Sequence, residues 1–183
     1  VYLGFGILFL LSATIGISSF VTIKKNERIS ERVTHIYHVM EVTEKIQNVV
    51  TVMASSRRAY RCTNQGTYLK LYYGAQEELS PILSDVHNLV NWDEQETTIL
   101  SKVEKDINDI LFFWSKVNAN ENRFDSIAIG KYTQEENNQL ALIRLGLKQL
   151  IEHERSKLNQ CENENQLTHA YLSWASPLWS ILV

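Results

Sequence analysis

Turn-forming residues are scarce in this chain. Seven glycines and two prolines in 183 residues fall well below the ordinary background of roughly one residue in eight. A sheet protein of this length needs many tight turns, usually built with Gly, Pro or Asn-Gly pairs. Their shortage argues against a strand-rich fold and favours a few long helices. Cysteine is equally scarce. Cys62 and Cys161 alone exclude a disulfide framework, and without a nearby histidine pair they cannot complete a structural zinc site of about four N/S ligands. Positive charge is not in surplus either: the formal net charge is −3, which argues against nucleic acid as a partner. Acids and bases alternate along the middle of the chain, as on solvated helix faces.

The two ends lack charge. Val1 to Ile23 contains no Asp, Glu, Lys or Arg, and roughly 20 apolar residues suffice to cross a hydrocarbon core. A cleaved signal peptide has a shorter apolar core and a small-x-small cleavage site. Here the apolar run passes directly into a helical pattern at Lys24, so residues 1–23 are expected to be a retained transmembrane helix. The initial Val1 suggests that residues precede it. Residues 167–183 also lack acid, Lys and Arg and carry Tyr171, Trp174 and Trp179, rings favoured at membrane interfaces. Pro177 is tolerated in a membrane helix. This stretch is expected to be the start of a second span that continues past Val183. Lys24, Lys25, Arg28 and Arg32 follow the first span; by themselves such basic flanks would place the middle of the chain in the cytoplasm.

Between these ends, residues 24–166 repeat apolar side chains at steps of three and four, the period of amphipathic helices. Ile29, Val33, Ile36, Val39/Met40, Thr43, Ile46, Val49/Val50 and Met53 form the first stripe. Asn64-Gln65-Gly66 supplies a break, and a second helix is expected from about Thr67 to Val90, kinked or restarted at Ser80-Pro81. Asn91-Trp92-Asp93 makes the next turn. The third stripe is Ile99/Leu100, Val103, Ile107, Ile110/Leu111, Trp114 and Val117. After a less periodic connection over residues 118–130, a fourth helix starts near Lys131 and carries Leu140, Ile143, Leu147, Leu150/Ile151 and Leu158. The fold class is therefore all-α: an up-and-down four-helix bundle with long first and last helices, flanked by two transmembrane helices. In that order Cys62 and Cys161 lie roughly 45 Å apart along the axis, far beyond the 7 Å or so between Cα atoms that a disulfide allows. They are expected never to pair within one chain.

No catalytic constellation stands out. There is no Gly-rich phosphate loop and no nucleophile elbow. His153-Glu154-Arg155 is followed by Ser156-Lys157 rather than the Thr-Pro of a histidine-kinase phospho-acceptor box, and ATP-binding glycines are absent. His35 and His38, at i, i+3 near Glu31 and Glu41, have a spacing that can hold a metal, but read as solvated surface histidines. No Glu-x-x-His pair recurs on two helices, as a di-metal bundle requires. No enzyme activity, cofactor or metal is expected of this stretch. The notable polar cluster is Arg57, Arg58, Tyr60, Arg61, Tyr68, Tyr72 and Tyr73 around the first turn. Arginines can clamp a carboxylate or phosphate between tyrosine walls; the same residues can also cap the bundle, their stems covering apolar surface.

The stretch Ala54 to Thr63, with Arg58, Tyr60 and Thr63, then Tyr68, Leu69, Tyr72 and Ala75, resembles the signature of the third class of CHASE sensory domains. Gly130-Lys131, Ile143-Arg144 and Glu154 are similar to that family's pattern on the last helix. Ala54, Ser56, Ala59 and Asn64 depart from it, Ala54 standing where the family has Glu. The resemblance implies an extracellular or periplasmic four-helix bundle between two membrane helices. It would precede a histidine kinase, a cyclase or a chemotaxis receptor, and this placement overrides the basic flank at Lys24. From the cluster, Arg57, Arg58, Tyr60, Tyr68 and Tyr72 are candidate ligand-binding residues, and Arg144 joins them through the resemblance. The expected function is a stimulus-sensing ectodomain in the bacterial inner membrane, its stimulus an unidentified small molecule or protein. The alternative is a non-sensing helical scaffold subunit of a membrane complex. Paired stripes on helix one (Val39 and Val42 beside Met40, Val49 beside Val50) exceed one intramolecular seam, and imply a parallel homodimer.

Overall fold

The computed structural model describes the backbone of residues 2–119 and 126–181, and side chains at 16–117, 129–166 and a few earlier positions. Four helices follow one another: α1 (Tyr2–Thr63), α2 (Gly66–Val90), α3 (Glu94–Ala119) and α4 (Ser126–Ile181). Among the described residues there is no strand. None of the helices, over those residues, is long and apolar enough to cross a membrane. The side chains of 167–183 and of much of 1–15 lie outside the described residues, and with them most of both expected spans.

Two compact units divide the chain, one of Tyr37–Arg155 and one of Val1–Ile36 with Ser156–Val183. The first is the bundle. Its core draws on all four helices: Val39, Val42, Ile46, Val49, Val50 and Met53 from α1; Tyr72, Leu79, Val86 and Val90 from α2; Leu100, Val103, Ile107, Ile110 and Trp114 from α3; Leu140, Ile143, Leu147 and Leu150 from α4. Each set repeats at three and four, so each helix puts one face into a shared interior, and burying each such side chain contributes roughly 1.5–3 kcal/mol. Thr43 sits in this core with no exposure and returns its hydroxyl to the Val39 carbonyl at 2.7 Å. In the second unit α1 and α4 run alongside each other, with Ile29, Ile36 and Cys161 buried and an ion pair from Arg32 to Glu164 at 3.6 Å. Cys62 and Cys161 are both free thiols.

The element ends differ from the sequence expectation in instructive ways. α1 stops because Asn64 adopts φ 53°, and its N–H donates to the Tyr60 carbonyl at 2.7 Å. This is a left-handed helix cap, a position where asparagine serves as well as glycine. Gly66, expected to be part of the break, is instead the first residue of α2. α2 also passes through Pro81 as one helix, without the expected restart. Pro81 is exposed, so the carbonyl that loses its partner can bond water, while Leu79 and Val86 anchor the helix on either side. α3 begins at a side-chain cap: Asp93 Oδ1 accepts the N–H groups of Gln95 at 2.9 Å and Glu96 at 3.2 Å. α4 begins at Ser126, earlier than Lys131. Of the paired stripes of helix one, Val39, Val42, Val49 and Val50 are each at most 5% exposed, and Met40 is half-buried.

Gly146 marks a close approach of α4 to α3. A Cβ there would collide with Val103 Cγ2, whereas one at Gly74 would meet nothing within 4 Å. Ala is favoured over Gly in a helix by roughly 0.8–1 kcal/mol, but overpacking a core costs about 1–3 kcal/mol. Gly74→Ala should therefore stabilise the bundle by about 1 kcal/mol, and Gly146→Ala should destabilise it by a similar amount. Adding Val103→Ala to Gly146→Ala should show coupling between the two sites in a denaturant-unfolding cycle. Strict additivity would refute the contact.

Candidate functional site

The polar cluster singled out around the first turn is organised by a residue that lies 79 positions from Arg57 in sequence. Glu136, on the first third of α4, is 1% exposed. Its Oε1 lies 3.4 Å from the Arg57 guanidinium and accepts the indole N–H of Trp114 at 2.9 Å. Its Oε2 lies 3.2 Å from Arg58 Nε, and Arg58 also donates to Asn137 Oδ1 at 2.8 Å. A buried carboxylate is tolerated only when paired and hydrogen-bonded, and here α1 and α3 supply both conditions. Arg57 is 4% exposed and lies 5.7 Å from the centre of the Trp114 ring, within range of a cation–π contact. Tyr72 of α2 meets Trp114 edge-on at 5.9 Å and Tyr73 at 5.2 Å. Burial pushes the Tyr72 phenol above its ordinary pKa, and the Arg57 charge pulls against that rise.

The structure thus joins Arg57, Arg58 and Tyr72 in one network with two residues the sequence did not single out as site residues, Glu136 and Trp114. Trp114 was visible only as a core position, and Glu136 carried no local signal. Tyr60 and Tyr68 are half-buried near the same turn. Arg144 is exposed two turns further along α4, about 12 Å of helix rise beyond Glu136, and makes no part of this network. Chemically, the arginine clamp anticipated from sequence already holds a carboxylate, and that carboxylate belongs to the chain. Arg58 remains 44% exposed, which leaves its outer edge open to solvent.

Two further polar groupings occur. His153 Nε2 lies 3.2 Å from Asp93 Oδ2 and 3.7 Å from Glu96 Oε1, so the segment that superficially suggested a phospho-acceptor box is occupied in contacts between α4 and the start of α3. His35 and His38 are exposed on α1.

With this geometry in place, the family is defined. The family model of the CHASE3 domain matches residues 29–164, and the chain belongs to that family of sensory extracellular receptor domains. The match takes in the bundle and the adjoining parts of α1 and α4, the extent over which helical spacing is read from the sequence. No curated protein and no solved structure matches the chain.

Removing one partner of a buried ion pair strands the other and costs about 3–5 kcal/mol, whereas an exposed pair contributes roughly 0–1 kcal/mol. Glu136→Ala should therefore destabilise the bundle by about 3 kcal/mol or more, and Arg58→Ala by less than about 1 kcal/mol. Urea unfolding followed by circular dichroism measures both. Equal small losses would mean that the pair contributes no more than a surface contact.

Proposed function

We propose that this chain is the stimulus-sensing ectodomain of a bacterial membrane receptor, held between two transmembrane helices and passing its signal to a cytoplasmic output domain. The output would be of the histidine kinase, cyclase or chemotaxis type. The observation that carries this reading is helix continuity. α1 and α4 each contribute a face to the bundle core and each continue without a break, to Tyr2 and Ile181 respectively. A change of packing in the bundle moves those two helices, and packed interfaces switch between discrete arrangements rather than deforming smoothly.

Within this proposal the sensing end is the α1–α2 turn. Arg58, Tyr60 and Tyr68 offer the accessible surface to a small anionic or hydroxyl-bearing ligand. Arg57, Tyr72 and Glu136 form its buried support, and Arg144 has no direct part. The bundle lies on the periplasmic side, and the lipid bilayer holds residues 1–23 and 167–183. A reporter active only in the cytoplasm, fused near Asn120, is expected to be silent, and one active only in the periplasm is expected to report. The opposite pattern would place the bundle inside the cell and end the receptor reading.

A parallel homodimer along α1 completes the proposal, with Val39, Val42, Val49 and Val50 packed in the core of the chain itself. The available face of α1 runs through Glu31, Thr34, His38, Glu41, Lys45 and Asn48, all exposed. Single cysteines placed along α1 in a background lacking Cys62 and Cys161 should crosslink in membranes at three- and four-residue intervals. No crosslink at any exposed position between Glu31 and Asn48 would rule out this interface.

A further inference from the structure

We infer that Asp93, Glu96 and His153 form a binding site for a divalent transition-metal cation of the zinc type at the α2–α3 end of the bundle. One donor atom from each residue, Asp93 Oδ2, a Glu96 carboxylate oxygen and a His153 ring nitrogen, lies within 4.8 Å of the other two. The His153 Nε2 separations of 3.2 Å and 3.7 Å bracket the spacing of about 3.4 Å between neighbouring ligands of a tetrahedral zinc with bonds near 2.0–2.1 Å. A small inward movement of the carboxylates closes the set. The donors, one imidazole and two carboxylates, suit zinc, cobalt or nickel better than calcium or magnesium, which take oxygen alone.

Local structure prepares this arrangement. Asp93 is fixed by its role as the cap of α3, where Oδ1 takes the Gln95 and Glu96 N–H groups, so Oδ2 is held toward α4. Glu96 follows at the third position of the helix, the spacing of a capping box, and its side chain is 1% exposed. Burying a carboxylate costs several kcal/mol unless positive charge or hydrogen bonds compensate it. The His153 imidazole faces it at 3.7 Å. A divalent ion held by the three donors would add positive charge beside that carboxylate. Asp93 and His153 remain 29% and 21% exposed, so a water has access to the fourth position. The adjoining groove is lined by Gln95, Gln149 and Glu152, and also by Lys148, whose charge lowers affinity for a cation without blocking the three donors.

The sequence hid this site because its ligands lie 60 residues apart, between Asp93 and His153, and only the closing of α4 against the α2–α3 turn assembles them. A bound ion ties that turn to α4 just before the bundle unit ends at Arg155. Metal binding does not rest on the receptor reading and is tested separately. The full chain, purified in detergent and stripped with a chelator, is titrated with cobalt(II) alone and followed by its visible absorption, then challenged with zinc(II). The expected result is a saturable visible spectrum that zinc abolishes, together with a zinc-dependent rise in Tm. His153→Ala and Glu96→Gln should each weaken cobalt binding at least about tenfold, the scale on which even outer-shell changes act. The His35→Ala/His38→Ala double variant should leave it unchanged. Circular dichroism without metal verifies that each variant is helical, and the nearly isosteric Glu96→Gln serves where His153→Ala fails to fold. The inference is overturned by the absence of a cobalt spectrum in the wild-type chain, by unchanged affinity in Glu96→Gln, or by binding that follows His35 and His38 instead.

Discussion

The bundle depends on one buried carboxylate. Apolar faces on four helices are held together by a non-directional effect, which leaves more than one discrete packing open to them. Glu136 removes that freedom. Its two oxygens meet Arg57 and Arg58 of α1 on one side and the Trp114 indole of α3 on the other, and the Trp114 ring in turn receives the edge of Tyr72 from α2. All four helices therefore meet at one point where a displacement of an ångström breaks a charge-assisted hydrogen bond in a medium of low polarity. The apolar core supplies cohesion, and the Glu136 network supplies register.

Much of the architecture is legible in the sequence because helical burial is periodic. Ile46, Met53, Val103, Ile107, Leu147 and Leu150 occupy positions that the three-and-four spacing assigns to the interior, and each is at most 1% exposed. The family is legible too, through Arg58, Tyr60, Tyr68, Tyr72 and Ala75. Helix ends are less so. Within the Asn64-Gln65-Gly66 break it is Asn64 that takes the positive φ, and Pro81, which faces water, lies within a continuous α2. The site was half legible: Arg57, Arg58 and Tyr72 announce themselves by type and proximity. Glu136 is one acid among many on a helix whose other acids are largely solvated, and nothing local marks it as buried. Its partner, an arginine on α1, is specified only by tertiary structure.

The two polar devices sit at opposite ends of the α2–α3 hairpin and use different chemistry. Near the α1–α2 turn, two arginines and an indole converge on one glutamate. Near the α2–α3 turn, a histidine faces two carboxylates, Asp93 at 3.2 Å and Glu96 at 3.7 Å. Both meet α4, the first at Glu136 and the second at His153.

The order in which the chain is synthesised bears on how this core comes together. The α2–α3 turn closes locally, but Arg57 and Glu136 are separated by 79 residues, and α1 has no long-range partner on α4 until that helix is made. At translation rates of about 5–20 residues per second, α1 waits roughly 4–16 s between the synthesis of Arg57 and that of Glu136. During that interval its apolar stripe is open to α2, to a chaperone or to the equivalent stripe of a neighbouring nascent chain. Assembly of the bundle is thus a late, non-local event, and fidelity depends on the first helix remaining soluble while it waits.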